Sequence, residues 1–475
     1  MTFDLVVRGG EVVTAQGRFM ADIAVTDGKI TAIGTGLEGQ RVLDATGRMV
    51  MPGGVDPHCH IEQMSGMGQM NADTFETATR SAAMGGTTSV ISFAAQHKGM
   101  RMRDVVADYS ARAARGALVD YAFHMIASDV EAPDFADDLA AMIDAGHRSI
   151  KLFTTYNIAV SDRAILDVMT IAKARGALVC VHAENDGLIG WTKDRLIVAG
   201  RTEPAAHALS HPRLAEVEAV ERMCRFAEFL DQPVMLFHIS TVEGAAAVRA
   251  ARGRGVPVWA ETCPHYLFME ETVLDHPDGG KWMCSPPQRQ TADQAALWQA
   301  LRLGDLQVVS SDHAPYRYDE TGKLSQGADA PFHKISNGLP GLEVRQPLMF
   351  DAMVSHGTLG PEKFVEVTST APAALYGLEN KGALDPGKDA DIVIWDPTRS
   401  HTYGADDLHD NVGYNPWDGR RVTGWPETVL LRGEVIVSDG ACHAAPGSGH
   451  FLHRARTGAQ PLGTPAREAR AVLGD

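Results

Sequence analysis

The sequence lacks a long apolar run and a cationic leader. No apolar stretch approaches the roughly 20 residues that a membrane-spanning helix needs. The first 30 residues alternate apolar and polar positions and include acidic residues, whereas a signal peptide has a positive start and an apolar middle. We therefore expect a cytoplasmic protein without a membrane partner.

Paired cysteines and excess positive charge are also missing. The six cysteines form no Cys-x-x-Cys pair, so we expect reduced, mostly buried thiols and neither a disulfide framework nor a zinc ribbon. A net charge of −17 opposes nucleic acids, and we expect no such partner. The 475 residues, 44% hydrophobic and 22% charged, are enough for a large globular domain and a smaller one.

Both ends of the chain have a β-rich pattern. Residues 1–51 and 376–441 contain short alternating strands with Gly-Gly and Asp-Gly turns, and "LRGEVIVSDG" near residue 440 is similar to "VRGGEVVTAQG" near the start. We predict that the two segments build one composite β-sandwich domain. Residues 442–475 have no strong period, which predicts a C-terminal tail that is flexible or held by a neighbouring subunit as an oligomer contact.

The middle of the chain, residues 52–375, alternates β-favouring apolar segments with helical patterns, as parallel βαβ units do. Eight such segments occur, near residue 55 and at 89–94, 121–127, 149–154, 178–183, 234–239, 258–261 and 308–311. Eight repeats favour an α/β fold of the closed (β/α)₈ TIM-like type over the alternative, a doubly wound sheet. In such a barrel the chemistry lies at the carboxyl ends of the strands.

Side chains that can bind metal end several of these strands. His58 and His60 in "VDPHCHIE" lie two residues apart on a strand, which turns both imidazoles to the same face. His182 in "LVCVHAEN", His238 in "VMLFHIS" and Asp312 in "VVSSDHAP" end three more strands. Taken singly, each is more often a hydrogen-bonded histidine or a helix-capping aspartate. Together at one rim of a barrel, they indicate a metal site.

A lysine ends another strand at the same rim. Lys151 lies in "SIKLFTTYN", an apolar stretch with no acidic neighbour. Burial beside metal ions would lower the pKa of its amine and leave it neutral and nucleophilic. Such an amine can add carbon dioxide, and the resulting carbamate can bridge two metal ions. The alternative is a lysine whose stem packs while its head reaches the barrel mouth.

The chain resembles the dihydropyrimidinase and hydantoinase family of cyclic amidases in the amidohydrolase superfamily. The stretches that carry the resemblance run in order from Met51 to Arg345 and are "MPGGVDPHCH", "GGTTSVISF", "SIKLFTTY", "VHAEN", "FHIST", "ETCPHYL", "CSPPQR", "SSDHAPY" and "SNGLPGLEVR". The resemblance implies two zinc ions and a homotetramer, with a dimer as the alternative. The implied metal ligands are His58, His60 and Asp312 for one ion, His182 and His238 for the other, and N-carboxylated Lys151 with a hydroxide as bridges.

The resemblance also implies catalytic roles. The bridging hydroxide would attack the carbonyl of a cyclic amide, Asp312 would carry a proton to the leaving ring nitrogen, and Tyr156 would donate to the oxyanion. Main-chain groups at Ser285 and Asn337 would bind the substrate ring. Without the resemblance, Tyr156 is a packing tyrosine and the other two are turn residues.

The substrate is less closely defined than the reaction. After the second histidine this chain has "IEQMSGMGQMN", where typical relatives have a Leu-Asp-Met-Pro-Phe-like gate. Dihydropyrimidines, 5-substituted hydantoins and other cyclic imides all remain open, with N-carbamoyl amino acids or half-amides as products. Residues 61–63, Ile-Glu-Gln, do not supply the arginine or Asn-Glu-Pro-Gly-like stretch that usually follows the histidine pair in allantoinases and dihydroorotases, which lowers both alternatives. A non-catalytic scaffold relative is disfavoured because all six ligand positions are present.

Overall fold

Two large sheets organise the computed structural model, which describes residues 2–461 and 463–473. The strands are β1 (Phe3–Thr14), β2 (Gly17–Thr26), β3 (Lys29–Gly34), β4 (Gly39–Asp44), β5 (Met49–Pro52), β6 (Gly54–Cys59), β7 (Thr87–Ala95), β8 (Asp120–Ile126), β9 (Ser149–Phe153), β10 (Leu178–His182), β11 (Val234–Leu236), β12 (Val258–Thr262), β13 (Val308–Val309), β14 (Ile392–Thr402), β15 (Arg421–Leu431), β16 (Glu434–Ser438) and β17 (Ala441–Cys442).

Helices follow or connect these strands. They are α1 (Phe75–Met84), α2 (Met102–Gly116), α3 (Phe135–Asp144), α4 (Asp162–Arg175), α5 (Asp186–Val198), α6 (Ala206–Ser210), α7 (Arg213–Leu230), α8 (Val242–Gly253), α9 (Pro264–Phe268), α10 (Thr291–Leu303), α11 (Leu342–Phe350), α12 (Pro361–Val365), α13 (Ala371–Leu375) and α14 (Arg467–Leu473). Short 3-10 turns lie at Glu271–Asp275, Gly279–Trp282 and Phe332–Lys334, and π-helical turns at Asp351–Ser355 and Glu366–Thr370. Within residues 2–461 and 463–473, no helix combines the length and the hydropathy needed to cross a bilayer.

Strands β6 to β13 form the predicted barrel. They pair in parallel and in sequence order, and a parallel bridge between Cys59 and His313 joins the first strand to the residues after the last. All residues of β7 and β10 are buried, because helices cover one side of each strand and the barrel interior fills the other. The eight predicted strands and the (β/α)₈ class are confirmed, and the doubly wound alternative is wrong.

The second sheet unites the two ends of the chain, as predicted. Its nine strands run in the order β17-β16-β15-β14-β5-β1-β2-β3, with β4 paired to β1. The antiparallel pairing of β5 with β14 joins the N-terminal and C-terminal segments. Lys381 ties this sheet to the barrel, since its Nζ lies 2.6 Å from Asp120 Oδ2 at the start of β8 and 2.8 Å from Asp391 Oδ2. The domain boundaries at residues 51, 375 and 441 stay predictions.

The C-terminal tail differs from the expectation. It docks on its own barrel: the Tyr121 amide donates to His450 O at 2.9 Å, and the Leu452 amide donates to Tyr121 O at 2.7 Å. The Phe451 ring centroid lies 6.0 Å from that of Tyr121. Short apolar pieces in the tail fit gaps between barrel elements, which a search for periodicity does not detect. Contact of the tail with a neighbouring subunit stays a prediction, and residues 462, 474 and 475 lie outside the described part.

Candidate metal centre and active site

The predicted site residues line one cavity at the carboxyl ends of the barrel strands. It measures about 520 Å³. Its walls include all six predicted metal ligands and the three predicted substrate contacts: His58, His60, Lys151, His182, His238, Asp312, Tyr156, Ser285 and Asn337. The strands place the six predicted metal ligands together because each lies near or just beyond a carboxyl end, whereas Ser285 and Asn337 come from the longer connections after β12 and β13.

His58, His60 and Asp312 form the tightest group. One ligand atom from each lies within 4.8 Å of the others. Asp312 Oδ1 is 3.0 Å from His58 Nε2 and 3.5 Å from His60 Nε2. Burial alone would raise the pKa of Asp312, but the neighbouring histidines, His58 foremost, hold it well below its usual value. An ionised carboxylate beside two imidazole nitrogens suits a divalent transition metal such as zinc.

The outer nitrogens of these two histidines are occupied. His58 Nδ1 lies 2.5 Å from Glu261 Oε1, and His60 Nδ1 lies 2.7 Å from Gln63 Oε1. Donation from Nδ1 leaves the lone pair on Nε2 facing Asp312, which is how metal-binding histidines are commonly held. Glu261 was not predicted as a site residue. The signal was an acidic residue, fully buried here, at the end of the seventh strand in "WAETCPH".

The second predicted group consists of His182, His238 and Lys151. The two imidazole centroids lie 4.5 Å apart, and burial lowers the pKa of both well below 6.5, so the rings are neutral as metal ligation requires. His182 Nε2 lies 2.8 Å from Glu184 Oε2, which leaves Nδ1 for the cavity.

Lys151 has the apolar surroundings that the sequence predicts. Its Nζ lies 3.9 Å from the Phe237 ring centroid, 4.8 Å from that of Phe153 and 5.8 Å from that of Phe93. Burial lowers the pKa of the amine to about 7, although the charge of Asp312 opposes the shift. A substantial neutral fraction near pH 7 makes this amine able to add carbon dioxide.

Three site residues have a strained backbone. Tyr156, His238 and Asp312 have φ values of 71°, 40° and 46°, in the left-handed region that favours glycine. Such strain persists where the surrounding fold fixes it, and it clusters at functional sites. Here it turns the side chains of three predicted site residues into the cavity, at positions where a glycine would supply none.

The predicted substrate contacts lie together. Asn337 Nδ2 donates to Ser285 Oγ at 3.0 Å, and Tyr156 lines the same cavity. His207 and His211 lie behind them, with Nε2 atoms 3.4 and 3.5 Å from Ser285 Oγ. The sequence analysis did not select these two histidines, which are buried around the short helix α6.

Comparison with known proteins identifies the family. The profile of the amidohydrolase family matches residues 49–436. The chain belongs to this family. The amidohydrolase is 39% identical to the D-hydantoinase of Streptomyces coelicolor over 467 residues, which cover 96% of the chain and 99% of that protein. This confirms the resemblance on which the sequence analysis relied.

Comparison with solved structures leads to the same family. The dihydropyrimidinase from Brevibacillus agri superposes with a TM-score of 0.92 at 36% identity, covering 95% of this amidohydrolase and 99% of that chain. The L-hydantoinase (dihydropyrimidinase) from Arthrobacter aurescens gives a TM-score of 0.88 at 30% identity, covering 95% and 100%. This amidohydrolase is therefore an enzyme of the dihydropyrimidinase and hydantoinase type.

Proposed function

We propose that this amidohydrolase opens the cyclic amide bond of dihydropyrimidines, 5-substituted hydantoins or related cyclic imides, giving N-carbamoyl amino acids or half-amides. The observation that carries the proposal is the single cavity in which four imidazoles, an ionised Asp312 and a partly neutral Lys151 converge. The relatives named D-hydantoinase support the substrate class.

Two divalent ions, zinc first, fit these donors. We assign one ion to His58, His60 and Asp312 and the other to His182 and His238, with N-carboxylated Lys151 between them. When bound, such ions polarise a carbonyl and lower the pKa of a water molecule that they share. The arrangement of the first three ligands, each histidine with its outer nitrogen held, supports this assignment.

The remaining steps belong to the chain's own residues. Asp312 accepts the proton released when water adds to the carbonyl and passes it to the departing ring nitrogen. The Tyr156 hydroxyl donates to the carbonyl oxygen as negative charge develops on it. Main-chain groups at Ser285 and Asn337 hold the ring amide, and the contact between their side chains fixes the spacing of the two segments.

The outer part of the cavity suits an apolar ring substituent. Met67, Ile158, Ile189, Phe332 and Ile335 are among the residues that line the cavity. This lining favours 5-substituted hydantoins over allantoin or dihydroorotate, whose substituents are polar.

We also propose that the enzyme is cytoplasmic and forms a homotetramer, with a dimer as the alternative. Helix α5 supports self-association because Leu188, Trp191 and Val198, on one side of the helix, are 37%, 64% and 81% exposed. Apolar residues exposed together on one face commonly mark a protein–protein contact.

Hydrolysis rates on a substrate panel test the proposed function. The panel is dihydrouracil, phenylhydantoin, allantoin, dihydroorotate and succinimide, measured with enzyme of known metal content. We expect two metal ions per chain and the highest kcat/KM on phenylhydantoin or dihydrouracil, with an inactive Asp312→Asn variant as the control. Preference for allantoin or dihydroorotate would contradict the substrate class, and inactivity of the metal-loaded enzyme on every compound would favour a scaffold role.

A further inference from the structure

A chain of hydrogen bonds crosses the barrel interior from the C-terminal segment towards the metal-ligand rim. Arg454 is 3% exposed, and its Nη1 donates to Ser149 Oγ at 2.6 Å while its Nη2 donates to Phe123 O at 2.6 Å. Ser149 Oγ lies 2.6 Å from His124 Nδ1. His124 Nε2 lies 2.7 Å from Pro57 O. Four residues thus connect the tail to the residue that precedes His58.

The two ends of this chain set the direction of its bonds. A guanidinium only donates, so Ser149 Oγ accepts from Arg454. A carbonyl oxygen only accepts, so a neutral His124 carries its proton on Nε2 and donates it to Pro57 O. His124 Nδ1 then accepts the serine hydrogen. Burial, assisted by the charge of Arg454, also lowers the pKa of His124 well below 6.5, in agreement with a neutral ring.

The end of the chain lies where strand β6 leaves its regular pairing. The β6–β7 register shifts between Asp56 and Cys59, so Pro57 and His58 fall in an irregular stretch. The contact with His124 provides the Pro57 carbonyl with a hydrogen-bond donor there. The bond therefore holds the main chain immediately before a predicted metal ligand.

His124 also lies beneath other predicted ligands. Its Nδ1 is 4.0 Å from Cys180 Sγ, and Cys180 precedes His182 by two residues on β10. Its ring centroid is 5.2 Å from that of Phe93, and the Phe93 ring in turn stacks on His60 at 4.3 Å. Residues two apart on a strand share a face, so His124 occupies the layer of side chains next to the ligand layer.

Ser149 likewise lies in the layer next to Lys151, because it precedes Lys151 by two residues on β9. The interior of a barrel of this type is normally filled by layers of apolar side chains. A buried guanidinium is costly there unless it is fully paired, and Arg454 Nε has no partner among the described residues. A guanidinium placed there at such a cost points to a task other than stability.

We propose that Arg454 is a positioning residue for the metal centre: through Ser149 and His124 it fixes the layer beneath the ligands, so that the rim takes its binding geometry when the C-terminal segment is docked. The proposal rests on the metal centre assigned under the proposed function. It makes docking of residues 447–458 a condition for tight metal binding.

Full-length Arg454→Met tests this, because methionine keeps an unbranched side chain and removes the donors. Competition with a chelator for zinc should show about 10- to 100-fold weaker binding, the loss usual for groups that orient metal ligands. Arg454→Lys, which retains one donor, should recover part of the loss. Arg456→Met is the matched control, since Arg456 lies in the same segment but is exposed. The zinc affinity of this control variant should equal that of the wild type.

Two further measurements separate positioning from stability. In metal-free protein, ¹⁵N shifts of the His124 ring should show the Nε2–H tautomer in the wild type and a mixture in Arg454→Met. Arg454→Met combined with Ser149→Ala should bind zinc as weakly as either single variant, because both act through one chain. If Arg454→Met fails to fold, Ser149→Ala takes its place.

Zinc affinity within twofold of the wild type in these variants, or an unchanged tautomer, would overturn the proposal. If the wild-type tautomer is the expected one but the protein binds no metal, the assigned metal centre fails, and with it the role of Arg454 in positioning the ligands.

Discussion

Lys151 is the residue whose chemistry most depends on its surroundings. Three aromatic rings surround its amine, and burial brings its pKa to about 7, so the carbamate form is accessible. We expect Lys151→Ala to bind fewer than one zinc ion per chain and to lose almost all turnover. Short carboxylic acids should restore part of both, because a small carboxylate can take the place of the carbamate. A variant that keeps two ions and normal turnover would show that the lysine only packs.

Tyr156 offers a separate test of the chemical step. Its backbone lies at φ 71°, and it lines the same cavity as Ser285 and Asn337. Tyr156→Phe should lower kcat by about 10²- to 10³-fold, the usual loss for one oxyanion donor. Metal content should be unchanged, in contrast to Asp312→Asn, which removes a ligand and a proton carrier together. A change confined to KM would assign Tyr156 to substrate binding alone.

At the scale of elements, the residues at the strand ends could be predicted from the sequence, but the buried polar residues that hold them in place could not. Each barrel strand is a short apolar run, and buried parallel strands keep this pattern on both faces, so the sequence located the rim and brought the six predicted ligands to it. Helix α5 shows no regular apolar pattern of this kind, because Ile189 is its buried residue and its other residues are at least partly exposed. Glu261, His124 and Arg454 are polar residues within apolar surroundings, and their partners come from distant segments.

A polar contact between the segment before β15 and helix α11 predicts a pH dependence. His409 Nδ1 lies 2.9 Å from Glu343 Oε1, and this hydrogen bond raises the pKa of His409, with Asp410 assisting and burial and Arg80 opposing. A raised folded-state pKa stabilises the protein fully below the unfolded value of about 6.5, and the gain disappears as pH rises through the folded value.

His409→Gln should therefore lower the unfolding temperature at pH 6 and have little effect at pH 9. The difference corresponds to well under about 1 kcal/mol, because the His409 side chain is 39% exposed and solvent screens the pair. Scans of both proteins across this range give the measurement. An equal deficit at every pH would mean that the contact acts by packing instead of charge.

At the scale of the whole molecule, the tail unites parts of the barrel that are distant in sequence. Its main chain bonds to Ala117, Tyr121, Gly146 and Gly176, which lie at the amino-terminal ends of successive strands. These residues and the ligand rim lie at opposite ends of the strands. The predicted metal ligands belong to the barrel, but the contacts of the tail make it part of the same folding unit.

Truncation after Gly440 should consequently destabilise the fold itself. The deletion removes the Phe451 ring from the Tyr121, Phe123 and His147 cluster and leaves Ser149 without its donor. We expect a clearly lower unfolding temperature and poorer solubility, measured beside the intact chain at equal metal loading. Truncation after Gln460, which keeps the docked segment and removes α14, is the control and should lose less.

Light scattering on the same samples separates this effect from assembly. If the chain truncated after Gly440 keeps its unfolding temperature but falls from tetramers to dimers or monomers, the tail acts mainly between subunits, as the sequence alone suggested. If it is destabilised while the surviving folded fraction stays tetrameric, the tail serves the barrel, and assembly depends on other surfaces such as the exposed side of α5. We expect the second result, because the described tail residues that are most buried, Arg454, Thr457, Ala459 and Ala469, are buried within a single chain.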